Sequence, residues 1–137
     1  MIPKFNQIAD NLWIGGVEDG EILPQGFQHI VSLCVWEQYK IVNKHKTRLE
    51  IVMYDNGNQS FALVEPIAKW VNECRKTGVV LVHCKEGLNR SALIVARVLM
   101  LDGLSANDAI NLIRAKRSNR CLNNQVFVNY LRLQNGK

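Results

Sequence analysis

Residues 79–101 read VVLVHCKEGLNRSALIVARVLML, and no other stretch limits the fold so tightly. Val79 to His83, introduced by Gly78, is apolar at consecutive positions and rich in valine, the pattern of a strand covered on both sheet faces. From Asn89 or Arg90 to Leu101 the chain is apolar almost all round, as a central helix must be. The apolar run Ser91 to Leu101 also contains Arg97 and is too short to cross a bilayer, so no transmembrane segment is expected.

The flanking sequence supplies the neighbours these two elements need. His29 to Val35 (HIVSLCV) and Glu50 to Tyr54 (EIVMY) read as further buried strands, and Leu12 to Ile14 as a short strand stopped by a turn at Gly15-Gly16. Ser60 to Lys76 carries Phe61, Val64, Ile67, Ala68, Val71 and Cys74 at helical spacing, with Pro66 suited to a first turn. Ser105 can cap a helix from Ala106 to about Arg117, with Asp108 as its capping partner. Asn123 or Asn124 can cap a last helix running to about Gln134. Strands alternating with helices, then helices alone, predict an α/β fold: a central, mostly parallel twisted sheet flanked by helices. In such sheets ligands bind beyond the carboxyl ends of the strands.

The 137 residues suit one domain, residues 1–137, without repeats or linkers, and a monomer is expected. An apolar fraction of 47% and a charged fraction of 21% exclude a disordered chain. Cys34, Cys74, Cys84 and Cys121 lack metal-ligand spacing, so neither a zinc site nor a disulfide framework is expected. The N-terminus lacks a secretory pattern, which favours the cytoplasm or the nucleus. The net charge of +5 leans toward an anionic partner.

The loop between the central strand and helix carries the chemistry. Cys84 stands where the strand ends, and Lys85-Glu86-Gly87-Leu88-Asn89 leads into a helix opened by Arg90. A strand–loop–helix turn points backbone N–H groups into one concavity at a helix N-terminus, a seat for a phosphate-sized anion. Gly87 permits a positive φ or close approach. Arg90 offers a planar fork matched to two phosphate oxygens. The same positive field would stabilise a thiolate at Cys84.

His83-Cys84-Lys85-Glu86-Gly87-Leu88-Asn89-Arg90-Ser91 resembles the HCxxGxxRS signature of cysteine-based protein tyrosine phosphatases in the dual-specificity form. Ile8 to Gly15 looks like that family's opening strand, Phe27 to Cys34 like its following strand, and Phe127 to Leu131 like its closing helix. The resemblance implies two-step phosphoryl transfer through a phosphocysteine on Cys84. Arg90 and the amides of Lys85 to Arg90 would bind phosphate, and Ser91 would assist departure of the thiolate. His83 would orient the loop. No metal or other cofactor is implied. The family's general acid is an aspartate on a loop after an earlier strand, and Asp55 stands 29 residues before Cys84. Asp10, Asp19, Asp102 and Asp108 fit turns or caps instead. Asn124 matches an asparagine that buttresses the phosphate loop, although Asn123 and Val126 replace the proline and glycine common around it.

Phosphotyrosine and phosphoserine/threonine of proteins are the substrates that the resemblance implies, and a phosphorylated protein is the expected partner. Gly87-Leu88-Asn89-Arg90 also resembles the loop of RNA 5′-triphosphatases, HCTHGLNRTG, but Lys85-Glu86 and Ser91-Ala92 depart from it. Lys85 would suit a phosphoinositide, and adjacent Glu86 would repel one. Arg114, Lys116, Arg117 and Arg120 read either as a contact for RNA or acidic proteins or as a solvated helix end. Some relatives pair a second cysteine reversibly with the nucleophile. Cys34, at the end of its strand, is the candidate here, against the simpler reading of a core residue.

Overall fold

The computed structural model describes residues 2–18, 21, 26–34, 47–56 and 60–135. Among these residues five strands form one sheet: β1 (Phe5–Ala9), β2 (Leu12–Gly16), β3 (His29–Ser32), β4 (Thr47–Glu50) and β5 (Val80–Cys84), in the order β1-β2-β5-β3-β4. Among the described residues only the β1–β2 pair is antiparallel; β2 with β5, β5 with β3 and β3 with β4 run parallel. The expected α/β architecture with a mostly parallel sheet is therefore present. β5 lies at the centre, and all five of its residues are buried, as its unbroken apolar run requires.

Alternation along the strands divides the interior. Leu12, Ile14, Val31, Val80 and Val82 share one large core with α1 (Val64–Arg75), α2 (Arg90–Leu101), α3 (Ala106–Lys116) and α4 (Gln125–Leu133). Val17, Ile30 and Leu81 form a smaller cluster with Phe5, Trp13 and Phe27 packed against it. Within α2 every residue from Arg90 to Met100 is buried. Arg97 survives there because Glu65 of α1 meets it two-pronged, Nε to Oε2 at 2.6 Å and Nη2 to Oε1 at 3.0 Å. That pairing holds the Glu65 carboxyl below its usual range.

Helix boundaries follow local chemistry. The Ser105 hydroxyl accepts the Asp108 N–H at 3.1 Å and starts α3. Asn124, rather than Asn123, caps α4, accepting from the N–H groups of Val126 and Phe127. α1 begins two residues before Pro66, whose missing N–H falls in the first turn, where none is bonded within the helix.

Two expectations need correction, and one strand is additional. Gly15-Gly16 does not stop β2 but lies within it. The fourth strand is Thr47–Glu50 rather than Glu50 to Tyr54; beyond it the chain still follows β3, with Ile51 N donating to Ser32 O at 3.0 Å and Met53 N to Leu33 O at 3.3 Å. β1 was not anticipated from Asn6-Gln7, which are polar because they occupy an edge strand. Val35, the last residue of the expected third strand, lies outside the described residues.

Candidate active site

Cys84 ends β5 with its side chain 2% exposed, at one wall of a cavity of about 190 Å³ lined also by Asp55, Lys85, Glu86, Leu88, Asn89 and Arg90. Its sulfur accepts the Gly87 N–H at 3.2 Å and lies 3.2 Å from the Ser91 hydroxyl. Arg90 is buried, and Nη1 donates to the Met53 carbonyl at 3.2 Å, so the chain beyond β4 holds the guanidinium from behind.

The inward aim of the loop amides has an identifiable cause. In a trans peptide the carbonyl and the following N–H point in opposite directions, so a carbonyl held outward turns the next N–H inward. The Glu86 carbonyl accepts from Arg117 Nη2 at 3.0 Å, the Gly87 carbonyl from Arg117 Nε at 2.7 Å, and the Leu88 carbonyl from Leu122 N at 2.8 Å. The N–H groups of Gly87, Leu88 and Asn89 thereby face the cavity side. Leu122 takes a φ of 60° to make its contact, a left-handed conformation that costs a leucine about 1–2 kcal/mol. Gly87 has a φ of 71°, and a Cβ there would meet the Gly15 carbonyl oxygen at 2.6 Å. One on Gly16 would meet the Lys85 carbonyl oxygen at 2.6 Å. The two residues read as a turn are instead the floor on which the loop rests.

Asp55 is drawn to the same place. Its Oδ2 accepts from Asn89 Nδ2 at 3.0 Å, and its Oδ1 from Asn124 Nδ2 at 2.8 Å. Asn89 Nδ2 also donates to Asn123 Oδ1 at 2.7 Å, while its Oδ1 accepts the Asn124 N–H at 3.0 Å. A thiol, a guanidinium, a ring of amides and a carboxylate therefore converge on one anion-sized space.

The family model described as "Dual specificity phosphatase, catalytic domain" matches residues 20–135. The chain belongs to this family. It is 29% identical over 121 residues to dual specificity protein phosphatase 22-A of Danio rerio, covering 83% of this chain and 57% of that protein. It is 32% identical over 145 residues to cyclin-dependent kinase inhibitor 3 of Rattus norvegicus, covering 93% of this chain and 65% of that one. The chain thus spans less than two thirds of either relative. The crystal structure of human DUSP28 has the same fold, with a TM-score of 0.81 at 22% identity over 96% of this chain and 92% of that chain.

Cys84 to Ser91, Asp55 and Asn124 lie together. Asn124 reaches the loop through its backbone N–H, while its side chain caps α4 and contacts Asp55. Gly57, Asn58 and Gln59, which follow Asp55 closely in sequence, lie outside the described residues, as does Asp19. Cys34 is buried just beyond β3, the strand paired with β5. Cys74 belongs to the core, and Cys121, in the turn between α3 and α4, is fully buried. Arg117 belongs to neither reading of the basic cluster. Besides the two loop carbonyls it donates to Pro3 O, Lys4 O and Asn6 Oδ1, and it is 8% exposed. Arg114 likewise donates to the carbonyls of Cys121 and Leu122. Lys116 and Arg120 remain exposed.

His83 is fully buried. A carbonyl only accepts, so Nδ1, 3.4 Å from the Cys84 carbonyl, carries the proton, and Nε2 accepts from the Ser32 hydroxyl at 2.6 Å. Burial pushes its pKa down to about 4. Below pH 6.5 the unfolded chain binds a proton there that the folded site refuses until about pH 4, so acid favours unfolding in that window. The expected loss is about 2–3 kcal/mol between pH 7 and pH 4.5. Urea unfolding at the two pH values measures it, and His83→Asn should shrink the difference; an equal pH dependence in both proteins would refute it.

Proposed function

We propose that this chain hydrolyses phosphate monoesters of proteins, on tyrosine and on serine or threonine, through a phosphocysteine at Cys84. One observation carries the reading: the Cys84 sulfur borders an anion-sized cavity within 3.2 Å of an inward N–H and of the Ser91 hydroxyl, with Arg90 and Asp55 on the other walls. In the first step the thiolate attacks phosphorus, the P–S bond forms and the P–O ester bond breaks. The leaving oxygen takes a proton from Asp55. The loop amides and Arg90 bind the equatorial oxygens, whose charge needs fixed donors in a water-poor site. In the second step water attacks phosphorus and gives its proton to the Asp55 carboxylate. The P–S bond breaks, and the Ser91 hydroxyl donates to the departing sulfur.

The surroundings favour a protein over a polyanion. A groove of about 360 Å³ continues past Lys85 and Glu86, where Lys4 and Arg120 are matched by Glu18 and Glu21. An RNA 5′-triphosphate or an inositol headgroup would meet these carboxylates, whereas a peptide of mixed charge would not be repelled. Matched assays with a phosphotyrosine peptide, a phosphoserine peptide, a phosphoinositide and 5′-triphosphorylated RNA test this, with kcat/KM highest for the peptides. A larger value for RNA or lipid would remove the protein-substrate reading, and no turnover of any would leave a phosphate-binding module.

Cys34 extends the reading to redox protection. Its position just beyond β3, beside the catalytic strand, supports a reversible disulfide with Cys84 under mild peroxide. Thiol should restore the native enzyme and fail to restore Cys34→Ser to the same extent. Equal recovery would sink the idea.

A further inference from the structure

We propose that Asn89 and Asn124 are positioning residues that latch Asp55 to the phosphate loop, so that the acid is placed before substrate arrives. The inference rests on Asp55 being the general acid, as argued above. It goes further in naming what holds that carboxylate and why the hold is directional.

A carboxamide can turn either end toward a neighbour, and a carboxylate accepts only from the NH₂ end. Here both amides are oriented by groups that leave no choice. Asn124 Oδ1 accepts from the N–H groups of Val126 and Phe127, so its NH₂ must face away from α4, and it meets Asp55 Oδ1 at 2.8 Å. Asn89 Oδ1 accepts the Asn124 N–H at 3.0 Å, so its NH₂ must face Asp55 Oδ2, at 3.0 Å, and Asn123 Oδ1, at 2.7 Å. Each carboxylate oxygen has its own donor, which fixes both the position and the plane of the group. Asp55 itself is exposed and stands two residues beyond Met53, whose N–H bonds the Leu33 carbonyl. Asn89, by contrast, is 8% exposed and belongs to the loop that surrounds the phosphate. The same loop that binds the phosphoryl group thus reaches out and sets the distance to the proton donor. Misplacing a catalytic group by about 1 Å can cost on the order of 10²-fold in rate.

Kinetics on a series of aryl phosphates with leaving groups of graded basicity test the latch. Asn124→Ser retains a side chain that caps α4 but is too short to reach Asp55. Its kcat should fall roughly 10- to 10²-fold for the most basic leaving groups and much less for p-nitrophenyl phosphate, with KM changing little. Asn89→Ser should steepen the same dependence. In an Asp55→Asn background neither change should steepen it further. A uniform loss across the series, or a full effect that persists without the Asp55 carboxyl, would overturn the latch. Thermal unfolding of each variant with and without tungstate reports whether fold and loop survive, and the leaving-group slope separates positioning from general damage. If Asp55→Asn alone leaves the slope unchanged, the acid assignment has failed. If it steepens the slope and the asparagine variants do not, only the latch has.

Discussion

Replacing Cys84 by serine is expected to reduce hydrolysis of an aryl phosphate at pH 5–7 to the uncatalysed background, a loss of roughly 10⁴- to 10⁶-fold. The two side chains are close in size, so the loop should keep its shape. What disappears is the sulfur, a far better nucleophile than a hydroxyl oxygen. A hydroxyl would need a base in the first step, where Asp55 must instead hold its proton for the leaving oxygen. The ring nitrogens of His83 face Ser32 and the Cys84 carbonyl, and the polar contacts of the sulfur are an N–H donor and another hydroxyl. Binding should survive, because Arg90 and the amides held by Arg117 and Leu122 are untouched. The variant should therefore bind phosphorylated peptide without consuming it, which calorimetry can measure beside the assay. Residual turnover above about one hundredth of the native rate would mean that another group attacks phosphorus.

Asp55→Asn should slow substrates with alkyl-like leaving groups by roughly 10²- to 10⁴-fold, the span expected for loss of a general acid. For p-nitrophenyl phosphate, whose leaving group departs as a stable anion, the loss should be far smaller. An amide keeps the volume and cannot give up a proton, so the contrast between the two substrates isolates the transfer. Because the amide would also present NH₂ to Asn89 or Asn124, Asp55→Ala is the companion variant. Both should show the same leaving-group dependence, and equal losses on both substrates would point to a structural role for Asp55.

Much of this was legible in the sequence, for reasons that differ by residue. The strand Val80–Cys84 and helix Arg90–Leu101 were plain because burial on all sides leaves an unbroken apolar record. Ser105 and Asn124 were candidate caps because a short polar side chain before an apolar stripe has few other uses. Cys84, Gly87 and Arg90 stood out because anion binding and thiolate stabilisation need those types at that spacing. Arg117 was missed although a clue was present: Ala106, Ala109, Ile110, Ile113 and Arg117 mark one face of a helix, so the arginine continues a buried stripe. Neighbouring cations made it read as solvated. The contacts of Asn89 and Asn124 with Asp55, and of Asn89 with Asn123, join residues distant in sequence and leave no periodic trace. The fourth strand was displaced because Ile51 and Met53 are apolar and bonded to β3 without belonging to the regular ladder.

Arg117 also links the proposed phosphate loop to the edge of the sheet. Its Nη1 takes Pro3 O, Lys4 O and Asn6 Oδ1, while Nε and Nη2 hold the phosphate loop. β1, like β4, lies at an edge of the sheet and among the described strands pairs with one neighbour alone, so it is a natural segment to fray. When it lifts, one guanidinium loses its footing on the N-terminal side and the loop carbonyls lose the rigidity of their anchor. Fraying and turnover then share one equilibrium: the fraction of molecules with a well-shaped loop is capped by the fraction whose first strand is seated. Heat or mild denaturant should accordingly silence the site before the central sheet opens.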